Sequence, residues 1–115
     1  MTRQNISAFP DRTVSGDHLF RFALITDTHL RLPADGHLTP WKSQAKGVER
    51  ARKALEQIAH IEPHFLVHLG DMVQPVPHMP SYAETAAFAR KLFDAQPFPV
   101  HYVAGNHDVG DKITR

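Results

Sequence analysis

Residues 99–108 read PVHYVAGNHD, and the interpretation of the whole chain starts from this stretch. Its first half, Pro99 to Val103, predicts a β-strand. Its second half, Ala104 to Asp108, contains a turn glycine, a side-chain amide, an imidazole and a carboxylate. Side chains that bind metals or move protons therefore come where a predicted strand ends.

Two earlier stretches repeat this arrangement. A predicted strand from His18 to Thr26 ends in Asp27-Thr28-His29, and a second one from His64 to Leu69 ends in Gly70-Asp71. The apolar run in the first strand is typical of a strand that is covered on both faces. In a parallel sheet, ligands bind beyond the carboxyl ends of the strands, where all three polar clusters would lie.

The segments between these strands predict helices over about residues 43–60 and 82–94. Ser81 followed by Glu84 predicts a capping box at the start of the second helix. The order β-α-β-α-β belongs to the α/β class and predicts a parallel sheet with right-handed crossover helices. The predicted buried faces consist of Val48, Ala51, Leu55, Ile58 and Ala59 in the first helix, and of Ala86 or Ala87, Phe88, Leu92 and Phe93 in the second.

Each cluster suggests chemistry, although each also fits an ordinary turn or cap. Asp27 and His29 are two residues apart, so in an extended segment they would point to the same side. Gly70 permits a sharp turn that would bring Asp71 over the sheet edge. His107 is a natural proton donor near neutral pH.

The last cluster is the most specific of the three. Asn106 offers a neutral oxygen ligand, and Asp108 would orient either the imidazole beside it or the loop backbone. The alternative reading is a turn built on Gly105 and Asn106, since both residue types are common in turns.

Together the three clusters resemble the calcineurin-like metallophosphoesterase superfamily. Its pattern is D-x-H, then G-D, then G-N-H-[DE], each after a strand, and the resemblance extends from Phe20 to Asp111. It implies half of a four-layer α/β/β/α sandwich. Residues 18–115 would form the N-terminal part of the domain, the C-terminal half would be absent, and residues 1–17 would be a loosely ordered arm.

The resemblance also implies a binuclear centre of divalent ions, with manganese, iron or zinc suiting the mixed ligands. Asp27 and His29 would bind one ion, Asp71 would bridge both, and Asn106 would bind the second. A bridging water or hydroxide would attack phosphorus, with His107 beside the leaving group as acid or charge stabiliser. The implied reaction is hydrolysis of a phosphomonoester or phosphodiester, in a small molecule or nucleotide.

The chain also departs from the family pattern. A later histidine and a G-H-x-H motif do not appear before Arg115, so we expect residues 1–115 alone to be inactive and to expose one apolar sheet face. His37 or His78 as a substitute ligand, a non-catalytic scaffold and an inactive fragment are the alternatives. Gln74 replaces an aspartate typical of Ser/Thr protein phosphatases, which argues against that branch.

Composition restricts the partners. The net charge of +1 gives no strong signal for nucleic acid, and no apolar run approaches the roughly 20 residues that span a bilayer. The chain has no cysteine and its first residues lack the apolar core of a signal peptide, so we expect a cytoplasmic protein. Among the 9 histidines, His68 is expected to be a packed core residue with a hydrogen-bond partner.

Overall fold

A computed structural model describes residues 16–32 and 46–110 of the chain. It contains three parallel strands in the sheet order β1-β2-β3, which confirms the predicted parallel sheet. The predicted N-terminal arm falls almost entirely on residues 1–15, outside the described residues, as does His37. The elements are β1 (Phe22–Ile25), α1 (Gly47–His60), β2 (Phe65–His68), α2 (Tyr82–Asp94), β3 (Val100–Tyr102) and α3 (Asn106–Val109).

One face of the sheet packs against the helices. Ala23 on β1 pairs in register with Leu66 on β2, and both side chains are buried. They share a hydrophobic core with the apolar faces of the two long helices. The inward-facing residues of the strands and the apolar face of each helix therefore form one layer. The buried helical residues in this core are Ala51, Leu55, Ala89 and Phe93.

The other face of the sheet is open in the described part of the chain. Phe22 is 48% exposed and Leu24 is 55% exposed, while the Phe22 ring stacks on Phe65 with centroids 5.4 Å apart. The expectation of an exposed apolar face is therefore confirmed for these residues, and within the described part of the chain β1 is covered on one face and not on both. A second sheet, as in a four-layer sandwich, remains a prediction.

The start of α2 differs from the prediction. Ser81 has helical backbone angles, φ −80° and ψ −5°, and its side chain makes no capping hydrogen bond. Its carbonyl oxygen instead accepts bonds from the Thr85 amide at 3.0 Å and the Thr85 hydroxyl at 2.7 Å. The predicted capping box is therefore wrong, because the chain is already helical at Ser81. The helix fully buries Thr85, Ala89 and Phe93, of which Phe93 was predicted, and the predicted Phe88 and Leu92 are partly buried and pack against the core.

The pairing of β1 with β2 continues beyond the strands. The amide of Asp27 donates to the carbonyl of Gly70 at 3.0 Å, and the amide of His29 donates to the carbonyl of Asp71 at 3.0 Å. These bonds fasten the first two polar clusters to each other at the carboxyl edge of the sheet. None of the helices in residues 16–32 and 46–110 has the length and apolar character needed to cross a membrane.

Candidate metal centre

Asp27, His29 and Asp71 come together at the carboxyl edge of the sheet. His29 Nε2 lies 3.4 Å from Asp27 Oδ1 and 3.9 Å from Asp71 Oδ2. One ligand atom from each of the three side chains lies within 4.8 Å of the others. The structure thus brings two sequence motifs, separated by about forty residues in the chain, to one point, as the parallel sheet predicts.

The three cluster residues all have left-handed backbone conformations. The φ angles are 54° for Asp27, 40° for His29 and 53° for Asp71, and the described residues contain one other non-glycine residue, Glu62, with positive φ. Such conformations cost about 1–3 kcal/mol each and occur preferentially at functional sites. The prediction of an extended Asp27-Thr28-His29 segment is wrong, since the side chains meet through two left-handed residues.

Two glycines allow the loops after β2 and β3 to touch. Gly70 has a φ of 112°, and a Cβ there would lie 2.6 Å from the Gly105 nitrogen. A Cβ on Gly105 would lie 2.2 Å from Asp71 Oδ1. Both distances are shorter than van der Waals contact, so a larger residue at position 70 would collide with the backbone of Gly105, and one at position 105 would collide with Asp71. The predicted turn at Gly70 is confirmed.

Asp108 holds the loop after β3, called the third loop here, against the loop after β2, called the second loop. Its buried carboxylate accepts hydrogen bonds from the amides of Asp71 at 2.7 Å, Met72 at 2.9 Å and Gly105 at 2.9 Å. Of the two roles considered for this residue, the structure supports orientation of the loop backbone. The short helix α3, which the sequence did not indicate, places the carboxylate where it can reach all three amides.

His107 lies next to the cluster. Its amide donates to Asp71 Oδ1 at 2.9 Å, and its ring meets the His29 ring edge-on with centroids 4.8 Å apart. Its Nδ1 lies 2.7 Å from the carbonyl oxygen of Gln74, which can only accept, so Nδ1 carries a proton. Asn106 precedes it as the exposed first residue of α3.

Sequence reasoning missed the link between Thr28 and His68. His68 is fully buried, and its Nε2 lies 3.0 Å from the Thr28 hydroxyl. The expectation of a packed core histidine with a partner is confirmed. A polar residue at an inward-facing strand position was the available signal, but it does not identify a partner 40 residues away.

The cluster concentrates negative charge. A hydrogen bond from the Thr26 hydroxyl to Asp27, 2.6 Å long, is the main reason why the pKa of that carboxyl is lowered. Asp27 therefore stays ionised at neutral pH beside a second carboxylate, that of Asp71. Two like charges this close repel each other unless a cation lies between them.

The donor set fits a divalent metal ion. Two carboxylates and one imidazole are ligands that manganese, iron and zinc accept. Within the described ranges, the group with ligand atoms inside 4.8 Å contains Asp27, His29 and Asp71 but not His78, the alternative ligand considered from the sequence. A cation at this point would also offset the repulsion between the carboxylates.

The fold and the cluster define an α/β protein with a candidate metal centre at the carboxyl edge of a parallel sheet. A family model described as calcineurin-like phosphoesterase matches residues 20–114. The chain therefore belongs to the calcineurin-like phosphoesterase family, whose members are metal-dependent and act on phosphoesters. A search of curated proteins found no match.

Proposed function

We propose that this protein, in its full-length form, hydrolyses phosphomonoesters or phosphodiesters at a centre of two divalent ions. The observation that carries the proposal is the convergence of Asp27, His29 and Asp71 within 4.8 Å, at the carboxyl edge of the sheet, where parallel α/β proteins bind their ligands. Bound ions of this kind polarise phosphoryl oxygens and lower the pKa of water.

The side chains divide the binding role between them. Asp27 and His29 would hold one ion, and Asp71 would face both, because its Oδ2 lies toward His29 while its Oδ1 lies toward the third loop. Asn106, at the start of α3 in that third loop, would contribute a neutral oxygen to the second ion. Neutral and charged ligands together keep the centre positive enough to attract a phosphoester anion.

His107 would handle the leaving group. Because Nδ1 is already committed to the Gln74 carbonyl, Nε2 is the nitrogen whose proton can be transferred. The imidazolium would give this proton to the departing oxygen, or stabilise the negative charge that develops there, and would be neutral afterwards. The edge-on contact with His29 keeps the ring beside the ligand cluster.

The test is turnover by the full-length protein after its metal has been removed and manganese added back. p-Nitrophenyl phosphate and bis-p-nitrophenyl phosphate report monoester and diester hydrolysis, respectively. We expect activity that depends on manganese, that is lost in Asp71→Asn, and that is retained in Asp94→Asn, a control on the exposed end of α2.

The same assay separates the competing function. A folded sample that binds manganese but hydrolyses neither ester would indicate a scaffold that retains the fold without catalysis. A folded sample with no turnover with any divalent metal would contradict the hydrolase. The His107 ring favours the hydrolase, because a scaffold has no use for an imidazole held beside the ligand cluster.

A further inference from the structure

His68 is a buried polar side chain that the proposed reaction does not use. It is the last residue of β2, three residues before Asp71, and its exposed fraction is 0%. An imidazole without exposure to water is costly unless both ring nitrogens have hydrogen-bond partners. The partners of His68 therefore indicate why a histidine stands at this inward-facing position of the strand.

The two ring nitrogens reach different loops. Nδ1 lies 3.0 Å from the amide nitrogen of Gly70, in the loop after β2. Nε2 lies 3.0 Å from the hydroxyl of Thr28, in the loop after β1. The same hydroxyl lies 3.0 Å from the carbonyl oxygen of Met72. A single ring thus connects the two loops that carry Asp27, His29 and Asp71.

The direction of each hydrogen bond follows from its donor. The Gly70 amide can only donate, so Nδ1 accepts and the proton of the neutral ring is on Nε2. Nε2–H then donates to Thr28, whose own proton goes to the Met72 carbonyl. Each group donates once, and burial lowers the pKa of His68, which favours the neutral ring.

Both contact points lie beside the strained ligand residues. Thr28 stands between Asp27, with a φ of 54°, and His29, with a φ of 40°. Gly70 precedes Asp71, with a φ of 53°. Left-handed conformations of such residues persist only when the surrounding contacts hold them. His68 accepts a hydrogen bond from the backbone amide of Gly70 and donates one to the side chain of Thr28, and these two bonds can supply this restraint.

We infer that His68 is a positioning residue for the metal centre. It sets the position of the loop with Asp27 and His29 relative to the loop with Asp71, without itself touching metal or substrate. The inference rests on the metal site of the proposed function. Loss of an outer-shell partner of a metal site costs about 10–100-fold in affinity, and we expect an effect of this size here.

The experiment measures manganese affinity by isothermal titration calorimetry on the full-length protein. His68→Phe keeps a planar ring in the core but removes both hydrogen bonds. Leu55→Ala is the control, because it truncates a buried side chain of α1 that takes no part in the network. We expect affinity to fall at least tenfold in His68→Phe and less than twofold in Leu55→Ala.

Thr28 gives a second test from the opposite end of the network, which decides the question if His68→Phe does not fold. Thr28→Val has the same shape without the hydroxyl, and Thr28→Ser restores the hydroxyl. We expect weaker manganese binding in Thr28→Val and affinity within about twofold of the wild type in Thr28→Ser. Rescue by the hydroxyl distinguishes positioning from a general effect on packing.

The outcomes separate the inference from the function on which it rests. If the wild type binds manganese and both His68→Phe and Thr28→Val bind it within twofold of the wild type, the positioning role is overturned and the metal centre stands. If the folded wild type binds no manganese, the metal centre is overturned, and the role of His68 at that centre falls with it.

Discussion

In the candidate metal centre, the loops after β1 and β2 are joined to each other by different means from those that attach the loop after β3. Backbone hydrogen bonds join the loops after β1 and β2, so Asp27 and His29 are fixed to Gly70 and Asp71 as an extension of the sheet. Beyond the backbone bond from the Val103 amide to the His68 carbonyl, the loop after β3 is attached through side-chain groups, chiefly the Asp108 carboxylate. The placement of Asp27 and His29 therefore depends on the sheet, whereas the placement of Asn106 and His107 depends on the bonds of Asp108, and Asp71 is bonded to both parts.

The largest expected effect concerns the third loop and its chemistry. His107→Asn should lower kcat/KM of the full-length protein by about 10²–10⁴-fold, because a positioned proton donor contributes that much to the rate. Manganese affinity should change little, since Asp27, His29 and Asp71 remain. Steady-state hydrolysis of p-nitrophenyl phosphate and calorimetric titration with manganese measure the two quantities.

The control for this variant is His60→Asn. His60 is the exposed last residue of α1, on the side of the sheet that the helices cover. It should leave both kcat/KM and manganese affinity near their wild-type values. A loss of manganese binding in His107→Asn equal to its loss of activity would show that the two kinds of loop are not separable.

The second prediction breaks the attachment of the third loop. Asp108→Asn replaces one carboxylate oxygen by an amino group that cannot accept, which leaves at least one buried amide without a partner. We expect the free energy of unfolding to fall by about 2–3 kcal/mol. Urea denaturation measures this change.

Asp94→Asn is the matched control for Asp108→Asn. Asp94 also accepts bonds from two groups, the Arg90 guanidinium at 2.6 Å and the Tyr102 hydroxyl at 2.6 Å, but it lies exposed on α2. Exposed pairs contribute about 0–1 kcal/mol, so this variant should stay close to the wild type. If the free energy of unfolding falls equally in the two variants, Asp108 does not hold the third loop in the way proposed.

The third prediction compares the packing of the loop after β3 with that of the loop after β1. An added methyl group at Gly105 probes the former, and one at Gly47 probes the latter. Gly105→Ala would place a Cβ 2.2 Å from Asp71 Oδ1, whereas Gly47→Ala would place one 3.4 Å from the carbonyls of Thr28 and His29. Because the φ of Gly105 is −93°, the cost comes from collision and not from backbone strain. We expect Gly105→Ala to lower the free energy of unfolding by about 1–3 kcal/mol.

Gly47→Ala should differ from the wild type by less than about 1 kcal/mol, since the gain in helix propensity offsets a tight contact. Thermal unfolding followed by circular dichroism compares the two variants. If Gly47→Ala proves as damaging as Gly105→Ala, the first loop is packed as tightly as the third.

The sequence predicts those features of the fold and site that depend on local pattern. Asp27, His29 and Asp71 could be placed at one edge because each follows a strand, and parallel strands end together. The bonds of Asp108 to the amides of Asp71 and Met72 could not be foreseen, because these donors lie 37 and 36 residues away in the chain and depend on how two loops meet. The Ser81 capping box failed because the chain is already helical at Ser81, whose hydroxyl makes no capping bond.

The smallest expected effect is on how the free energy of unfolding depends on pH. It comes from His68, whose hydrogen bonds join the loops after β1 and β2. Because burial lowers the pKa of His68 below its usual 6.5, only the unfolded chain binds this proton just below that pH. The free energy of unfolding should therefore fall as the pH drops below about 6.5, by at most about 1.4 kcal/mol per pH unit. Above about pH 7 the contribution is constant.

A comparison with His68→Asn separates the contribution of His68 to the pH dependence of stability from the contributions of the other histidines. Asparagine does not titrate, and its side-chain oxygen can still accept the Gly70 amide. Urea denaturation at pH 5.5 and 7.5 should show a smaller loss of stability at low pH in the variant than in the wild type. Equal losses would mean that His68 is not held neutral in the folded protein.

The central claim is that three separate loops bring their donors to one centre. The most direct measurement is manganese affinity of the full-length protein and of Asp27→Asn, Asp71→Asn and Asn106→Ala, with Asp94→Asn as control. We predict binding by the wild type that weakens at least tenfold in the Asp27 and Asp71 variants, weakens also in Asn106→Ala, and is unchanged in the control. Folded variants that all bind manganese as the wild type does would contradict the claim.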